Sequence, residues 1–215
     1  MVPQLNTTLG KSLSREELVA WATENLAFHQ LPLERISSVF LLQAYASEAN
    51  RVFDTFDLVK PIKLLEGLGG IDDTQKASEF KDPLLKGLKK KHFTSARFIP
   101  KNLNDFLLSK FGGEYFERIF REAAEASGSG YVDDVFAGYF AHHMTIPPLE
   151  MRGRARRFTG EWVIFYTYKS QNYYLCLGFH GREKSNENSN KEIREMVDIA
   201  CEFDNLPFRL QKRAD

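Results

Sequence analysis

Two aromatic-rich runs, Glu161–Tyr168 and Tyr173–His180, flank Lys169-Ser170-Gln171-Asn172, and this arrangement constrains the fold more than anything else in the chain. Runs rich in Trp, Phe, Tyr, Val and Ile that are separated by a short polar stretch specify a β-hairpin. Pairing Tyr168 with Tyr173 across the loop predicts one wholly apolar face. On it Trp162, Ile164, Tyr166 and Tyr168 meet Phe179, Leu177, Leu175 and Tyr173, because strand side chains alternate with period two. The other face pairs Thr167 with Tyr174, Phe165 with Cys176, Val163 with Gly178 and, at the open end, Glu161 with His180.

The preceding segment, Met151-Arg152-Gly153-Arg154-Ala155-Arg156-Arg157, alternates arginines with small residues. Read as a third strand, it places Arg152, Arg154 and Arg156 on one side. Pairing Arg156 with Glu161 keeps these charges off the apolar face, whereas a one-residue slip would bury them against Trp162 and Ile164. Arg156, Glu161 and His180 then form a row across three strands, extended by Arg154 and Arg152.

The rest of the chain reads as helical. Ser14-Arg15-Glu16-Glu17 has the spacing of a capping box, and Leu18, Trp21, Ala22 and Leu26 follow as a stripe, so a helix is expected to start at Ser14. A long helix is expected after Pro32, carrying Ile36, Val39, Phe40, Leu42, Ala46, Ala49, Phe53 and Phe56 before Lys60-Pro61 stops it. Gly67-Leu68-Gly69-Gly70 reads as a turn, since neither a preceding strand nor a following Gly-Lys-Ser/Thr supports a phosphate loop. Shorter helices fit Pro83 to Lys91, Asn102 to Lys110, Glu114 to Ala126 and Val132 to His143. Near the end, Ser189-Asn190-Lys191-Glu192 is a second capping box ahead of a stripe of Ile193, Met196, Val197, Ala200 and Phe203, which is expected to cover Leu175 and Leu177. A short last strand is expected around Pro207 to Gln211.

These readings predict an α+β protein: a helical N-terminal section followed by a small antiparallel β-sheet covered by a C-terminal helix. Pro147-Pro148 marks the change in composition. The expected organisation is a flexible tail over 1–13, a helical region over 14–147 and a hairpin sheet with its helix over 148–215, the last two forming one compact unit or two subdomains.

Composition narrows the classes of function. A chain of 215 residues with 43% apolar content and 18 Phe can bury a substantial core. No run reaches the roughly 20 apolar residues of a spanning helix, and the start lacks the blocks of a signal peptide, so a cytoplasmic protein without membrane association is expected. Cys176 and Cys201 are too few for a disulfide framework and are expected to be free. The zero formal net charge argues against tight nonspecific nucleic-acid binding. Charge is unevenly spread, however: residues 81–110 hold eight basic side chains against Asp82 and Asp105, and 114–134 are mainly acidic. Within the basic stretch Lys89, Lys90, Lys91 and Arg97 are candidate phosphate contacts, and the alternative is a solvated helix end.

The Arg156/Glu161/His180 row has a chemical reading. A carboxylate can take the proton from an RNA 2′-hydroxyl, an imidazolium can protonate the departing 5′-oxygen, and arginines can hold the phosphate, so no metal or cofactor is required. In arrangement, though not by any shared motif, the row resembles the Glu/Arg/His sites on the sheets of small microbial ribonucleases and the basic sheet faces of bacterial messenger-cleaving toxins. Other constellations are weaker. Cys176 and His180 lie about 13 Å apart along one strand, and His142 and His143 point about 100° apart on a helix. His92, among aromatic neighbours in the basic stretch, reads as a core position or as a phosphate and base-stacking contact, and His29 reads as structural. Two classes of function follow: a metal-independent ribonuclease, toxin-like or defence-related, with Glu161 as base, His180 as acid and Arg152, Arg154 and Arg156 on the phosphate; or a non-catalytic protein-interaction or regulatory module using the helical region.

Overall fold

The computed structural model describes residues 4–6, 12–109, 111–158, 160–179 and 186–210. Its elements are β1 (Gln4–Asn6), β2 (Ser12–Ser14), α1 (Arg15–Glu24), α2 (Ser38–Ala49), α3 (Thr55–Leu65), β3 (Ser78–Glu79), β4 (Lys89–Phe93), α4 (Ile99–Leu107), α5 (Gly112–Ser127), α6 (Asp134–Arg154), β5 (Glu161–Tyr168), β6 (Gln171–Gly178) and α7 (Asn186–Phe203). The fold is α+β, with helices leading into an antiparallel sheet and α7 after the last strand. Contacts divide the chain into two compact units. One comprises 1–71, 76–93 and 160–215, and the other 72–75 and 94–159. No helix among the described residues is long and apolar enough to cross a membrane.

The first unit is built on a four-stranded antiparallel sheet in the order β3-β4-β5-β6. β4 is the strand that sequence reading took for a helix end. Its lysines carry no strand propensity, but the ladder from Lys89↔Phe165 to Phe93↔Glu161 places Lys91 and Phe93 in the interior. Pairing thus overrides local preference. β4, and not residues 151–157, is the strand beside β5.

The hairpin forms with a tighter turn than expected. Lys169 and Ser170 both adopt positive φ, 46° and 64°, so two residues close the turn and Tyr168 pairs with Gln171 in place of Tyr173. Such a turn matches the right-handed twist of its strands, which a longer polar loop does not require. The change in register is even, so the faces near the turn are as predicted. A bulge between Ile164 and Phe165 then leaves Leu175 unpaired, and beyond it Ile164 faces Cys176 while Val163 faces Leu177. Leu177 has therefore moved to the opposite face from the one expected.

α7 covers the face formed by Trp162, Ile164, Tyr166, Tyr168, Tyr173 and Cys176. Its buried Ile193, Val197 and Ala200 share a core with Val39, Phe80, Leu85, Leu88, Leu175 and Phe208. The helix starts at Asn186, ahead of the Ser189 capping box, and residues 207–210 following it form no strand. Gly178 lies where a Cβ would come 2.8 Å from Ile164 Cδ1 and 3.3 Å from Ile193 Cδ1, so its lack of a side chain permits this close approach.

The second face is also covered. Val163, Phe165, Tyr174 and Leu177 are buried, with α2 packed against β6 and α3 against β4 and β5. The sheet is thus the middle layer of the unit. Leucine and phenylalanine alone do not keep it in place. Ser37 N–H donates to the Tyr174 carbonyl at 2.9 Å, and the Ser37 hydroxyl bonds the Leu175 carbonyl, so the chain entering α2 seals the free edge of β6.

The long helix expected after Pro32 is divided. Arg51 (φ 52°) turns the chain, and the Asp54 side chain accepts from Phe56 N–H at 2.8 Å to start α3. Pro61 lies inside α3 and is buried beside Val59 and Ile62. α1 begins as predicted: Ser14 Oγ accepts from Glu17 N–H at 3.3 Å and Glu17 Oε2 accepts from Ser14 N–H at 2.8 Å. Arg15 then bonds the nearly inaccessible Asp204 carboxylate at 2.8 Å, which in turn accepts Ser38 N–H at 2.7 Å. The start of α1, the start of α2 and the end of α7 meet at this carboxylate.

The second unit comprises α4, α5 and α6. Gly128 in the left-handed region (φ 62°) ends α5, and Asp133 accepts from Phe136 N–H at 2.9 Å to start α6. Pro147 and Pro148, expected to separate helix from sheet, lie within α6. Residues 72–75 join this unit through a parallel bridge between Thr74 and Phe158 and an ion pair between Asp72 and Arg156 at 3.6 Å.

Candidate functional site

The strand expected over 151–157 does not form. Arg152 and Arg154 belong to the last turn of α6, and Arg156 sits in the turn after it at φ 52°. The alternation of arginine with small residues is compatible with a helix as well as a strand, and α6 extends 11 residues beyond the expected His143 end because residues 144–154 continue its packing. Arg154 pairs with Glu150 at 3.2 Å, one turn earlier. Glu161 is the first residue of β5, is only 9% exposed and faces Phe93 across the ladder. His180 lies outside the described residues, as does Gln211 from the expected last strand.

The lysines of β4 are not solvated helix-end residues. Lys89 Nζ donates to Thr167 Oγ1 at 3.1 Å, and Lys91 is 2% exposed on the face it shares with Glu161. Lys90 points to the other face, where its Nζ lies 4.0 Å from the centre of the Trp162 ring and 4.8 Å from that of Phe80. Desolvation lowers its pKa from the usual lysine value. Beside it, Trp162 Nε1–H donates to His92 Nε2 at 3.2 Å, while His92 Nδ1 lies 3.3 Å from the Gly160 carbonyl. Both contacts are satisfied when the proton sits on Nδ1, and they make His92 a bridge between β4 and the start of β5. Arg97 belongs to the second unit, its guanidinium 5.8 Å from the ring of Phe98.

The second unit carries features that sequence reading passed over. Phe116 and Phe120 lie one turn apart on α5, and Phe136 and Phe140 one turn apart on α6. Their rings form a continuous cluster, with centroids 5.6 Å apart for Phe116–Phe140, 5.2 Å for Phe120–Phe136 and 5.8 Å for Phe136–Phe140. Phe136 is buried, yet Phe116 and Phe120 remain 43% and 49% exposed. Val132, just ahead of α6, and Val135 in its first turn are also exposed. The signal was present in the spacing, since Phe-x-x-x-Phe recurs in both segments read as helices.

At another part of this unit, α4, α5 and the end of α6 line an open groove of about 580 Å³ whose lining includes Phe106, Phe111, Tyr115, Arg118, Arg152 and Arg157. Among the described residues, Arg152 is the one predicted site residue that contributes to it. Its Nε donates to Asn102 Oδ1 at 3.3 Å and its Nη2 to the Arg157 carbonyl at 2.6 Å. Burial, reinforced by the charge of Arg157, lowers its pKa, and Asp105 at 3.6 Å opposes this.

Compared with family models, with curated proteins and with solved structures, the chain matches none.

Proposed function

We propose that this chain is a protein-interaction module whose inserted helical unit receives a basic amphipathic helix from a partner protein. The observation that carries the reading is the half-exposed aromatic pair Phe116 and Phe120, backed by Phe136 and Phe140. Exposed apolar surface of this kind on paired helices suits helix-in-groove recognition, in which aromatic anchors supply most of the binding energy. Charge selects the partner. Between 114 and 134 stand Glu114, Glu117, Glu122, Glu125, Asp133 and Asp134 against Arg118 and Arg121, so a basic helix is attracted and an acidic one is repelled. The ribonuclease reading relied on Arg156 standing beside Glu161 in a row of strands, and the helix over 134–154 removes that support.

The test is titration with a synthetic leucine–lysine amphipathic peptide, followed by fluorescence anisotropy. Saturable binding that weakens with salt is expected, as is a loss of about tenfold or more in Phe116→Asn/Phe120→Asn. Glu117→Lys leaves the apolar surface intact and should weaken binding without altering the helical circular dichroism. Equal binding of an acidic peptide, or binding to anionic vesicles or RNA in preference to the basic peptide, would overturn the reading.

A further inference from the structure

The groove at Arg152 stands apart in chemistry from the aromatic face and calls for a different occupant. Three rings, Phe106, Phe111 and Tyr115, supply apolar wall, with Phe106 and Tyr115 packed edge to face at 5.2 Å. Among the described residues, three guanidiniums, Arg118, Arg152 and Arg157, share the lining with the Glu114 carboxylate, while Glu122 pairs with Arg118 at 3.8 Å and Asp105 with Arg152 at 3.6 Å. We propose that this groove binds a planar ring bearing a phosphomonoester, a ligand of the nucleoside monophosphate class.

Three observations converge on that ligand. Three guanidiniums reach the site, with Arg118 beside Glu122 at 3.8 Å and Arg152 beside Asp105 at 3.6 Å, and a phosphomonoester of roughly −1.5 to −2 offers several anionic oxygens to share among them. The rings offer stacking and edge contacts that inorganic phosphate alone cannot use. The volume of about 580 Å³ is in the range of small-molecule sites.

Arg152 is also held ready. Its side chain is 12% exposed, and the bonds to Asn102 and the Arg157 carbonyl fix Nε and Nη2. Asp105, its carboxylate neighbour at 3.6 Å, is shared with Lys101 at 3.1 Å, so the arginine is only partly neutralised. An arginine already immobilised loses little further side-chain entropy when it donates to a phosphate oxygen through the remaining Nη1.

The site is tested by isothermal titration of the whole chain with adenosine 5′-monophosphate, with adenosine and inorganic phosphate as separate titrants. The nucleotide should bind saturably and more tightly than either part. Arg118→Gln and Arg157→Gln, both at exposed positions, should each weaken it by about tenfold or more, the loss expected for a charge-assisted hydrogen bond. Competition by a 5′-phosphorylated RNA trinucleotide would identify a strand end as the source of the ligand, and lack of competition a free nucleotide. Absence of nucleotide binding at millimolar concentration, phosphate binding as tight as that of the nucleotide, or unchanged affinity in the double variant would overturn the proposal. Phe116→Asn/Phe120→Asn should retain nucleotide binding, so failure here is distinguishable from failure of the peptide interface.

Discussion

Gln43 on α2 bonds the backbone of Leu177 on β6 twice: its amide oxygen accepts the Leu177 N–H at 2.6 Å, and its amide nitrogen donates to the Leu177 carbonyl at 3.3 Å. A helix side chain thereby replaces the neighbouring strand that the edge of β6 lacks. Gln43→Ala would leave a donor and an acceptor without partners in a packed interior. It should cost about 1–3 kcal/mol in urea unfolding at constant m-value. A loss below about 0.5 kcal/mol would mean that the edge finds other partners.

Leu177 and Ile193 are both buried, but on opposite faces of the sheet. Leu177→Ala and Ile193→Ala should each cost about 2–5 kcal/mol. Because the sheet stands between them, their effects should add to within about 0.5 kcal/mol in the double variant. A larger coupling would indicate that α7 covers Leu177 after all.

Gly112 occupies a position where a Cβ would lie 2.2 Å from the Leu107 carbonyl oxygen, a backbone atom that cannot move aside as a side-chain tip does. Gly112→Ala should therefore disturb the junction of α4 and α5. Hydrogen exchange checks this, with protection expected to fall across 99–127 while β5 and β6 in the other unit keep theirs. Uniform loss over the whole chain would show that the two units unfold together.

Burial pushes the Cys201 thiol up from 9.0 to about 11, with Asp198 adding to the rise, and burial pushes the Cys176 thiol higher still. The folded state thus holds these protons more tightly than the unfolded chain does. The stability this contributes is complete below pH 9 and is lost as the pH rises through about 11. The parent should lose more stability than Cys201→Ala between pH 9 and 11, as read from urea midpoints. A parent that gains stability relative to the variant over this window would contradict the sign. Neither thiol should react rapidly with an aromatic disulfide at pH 8 until urea is added.

Some elements were legible because their determinants are local. The Ser14 capping box needs only residues three apart, and both of its hydrogen bonds form. The stripe of Ile193, Val197 and Ala200 is set by helical period, and these side chains are buried where the period puts them. The aromatic runs likewise specified a hairpin. Its exact register did not follow, because a turn with positive φ at Lys169 and Ser170 carries no glycine or asparagine to announce it.

The candidate site was less legible, for a physical reason shown by the arginines. Alternating charged and small residues over 151–157 suit a strand locally, but Arg152 and Arg154 end a helix whose preceding turns are already packed against α4 and α5. Lys89 to Phe93 went the other way, from an apparent helix end to a strand, once β5 offered it a ladder. The sequence by itself determined the presence of the hairpin, the capping of α1, the covering stripe of α7 and the α+β class, since each rests on spacing within one segment. Only the tertiary structure decided that β4 completes the sheet, that the bulge moves Leu177 to the second face, and that Arg118, Arg152 and Arg157 line one groove. Those outcomes depend on hydrogen-bond partners and packing surfaces supplied from far along the chain, and local preference is too weak, at about 1 kcal/mol per residue or less, to resist them.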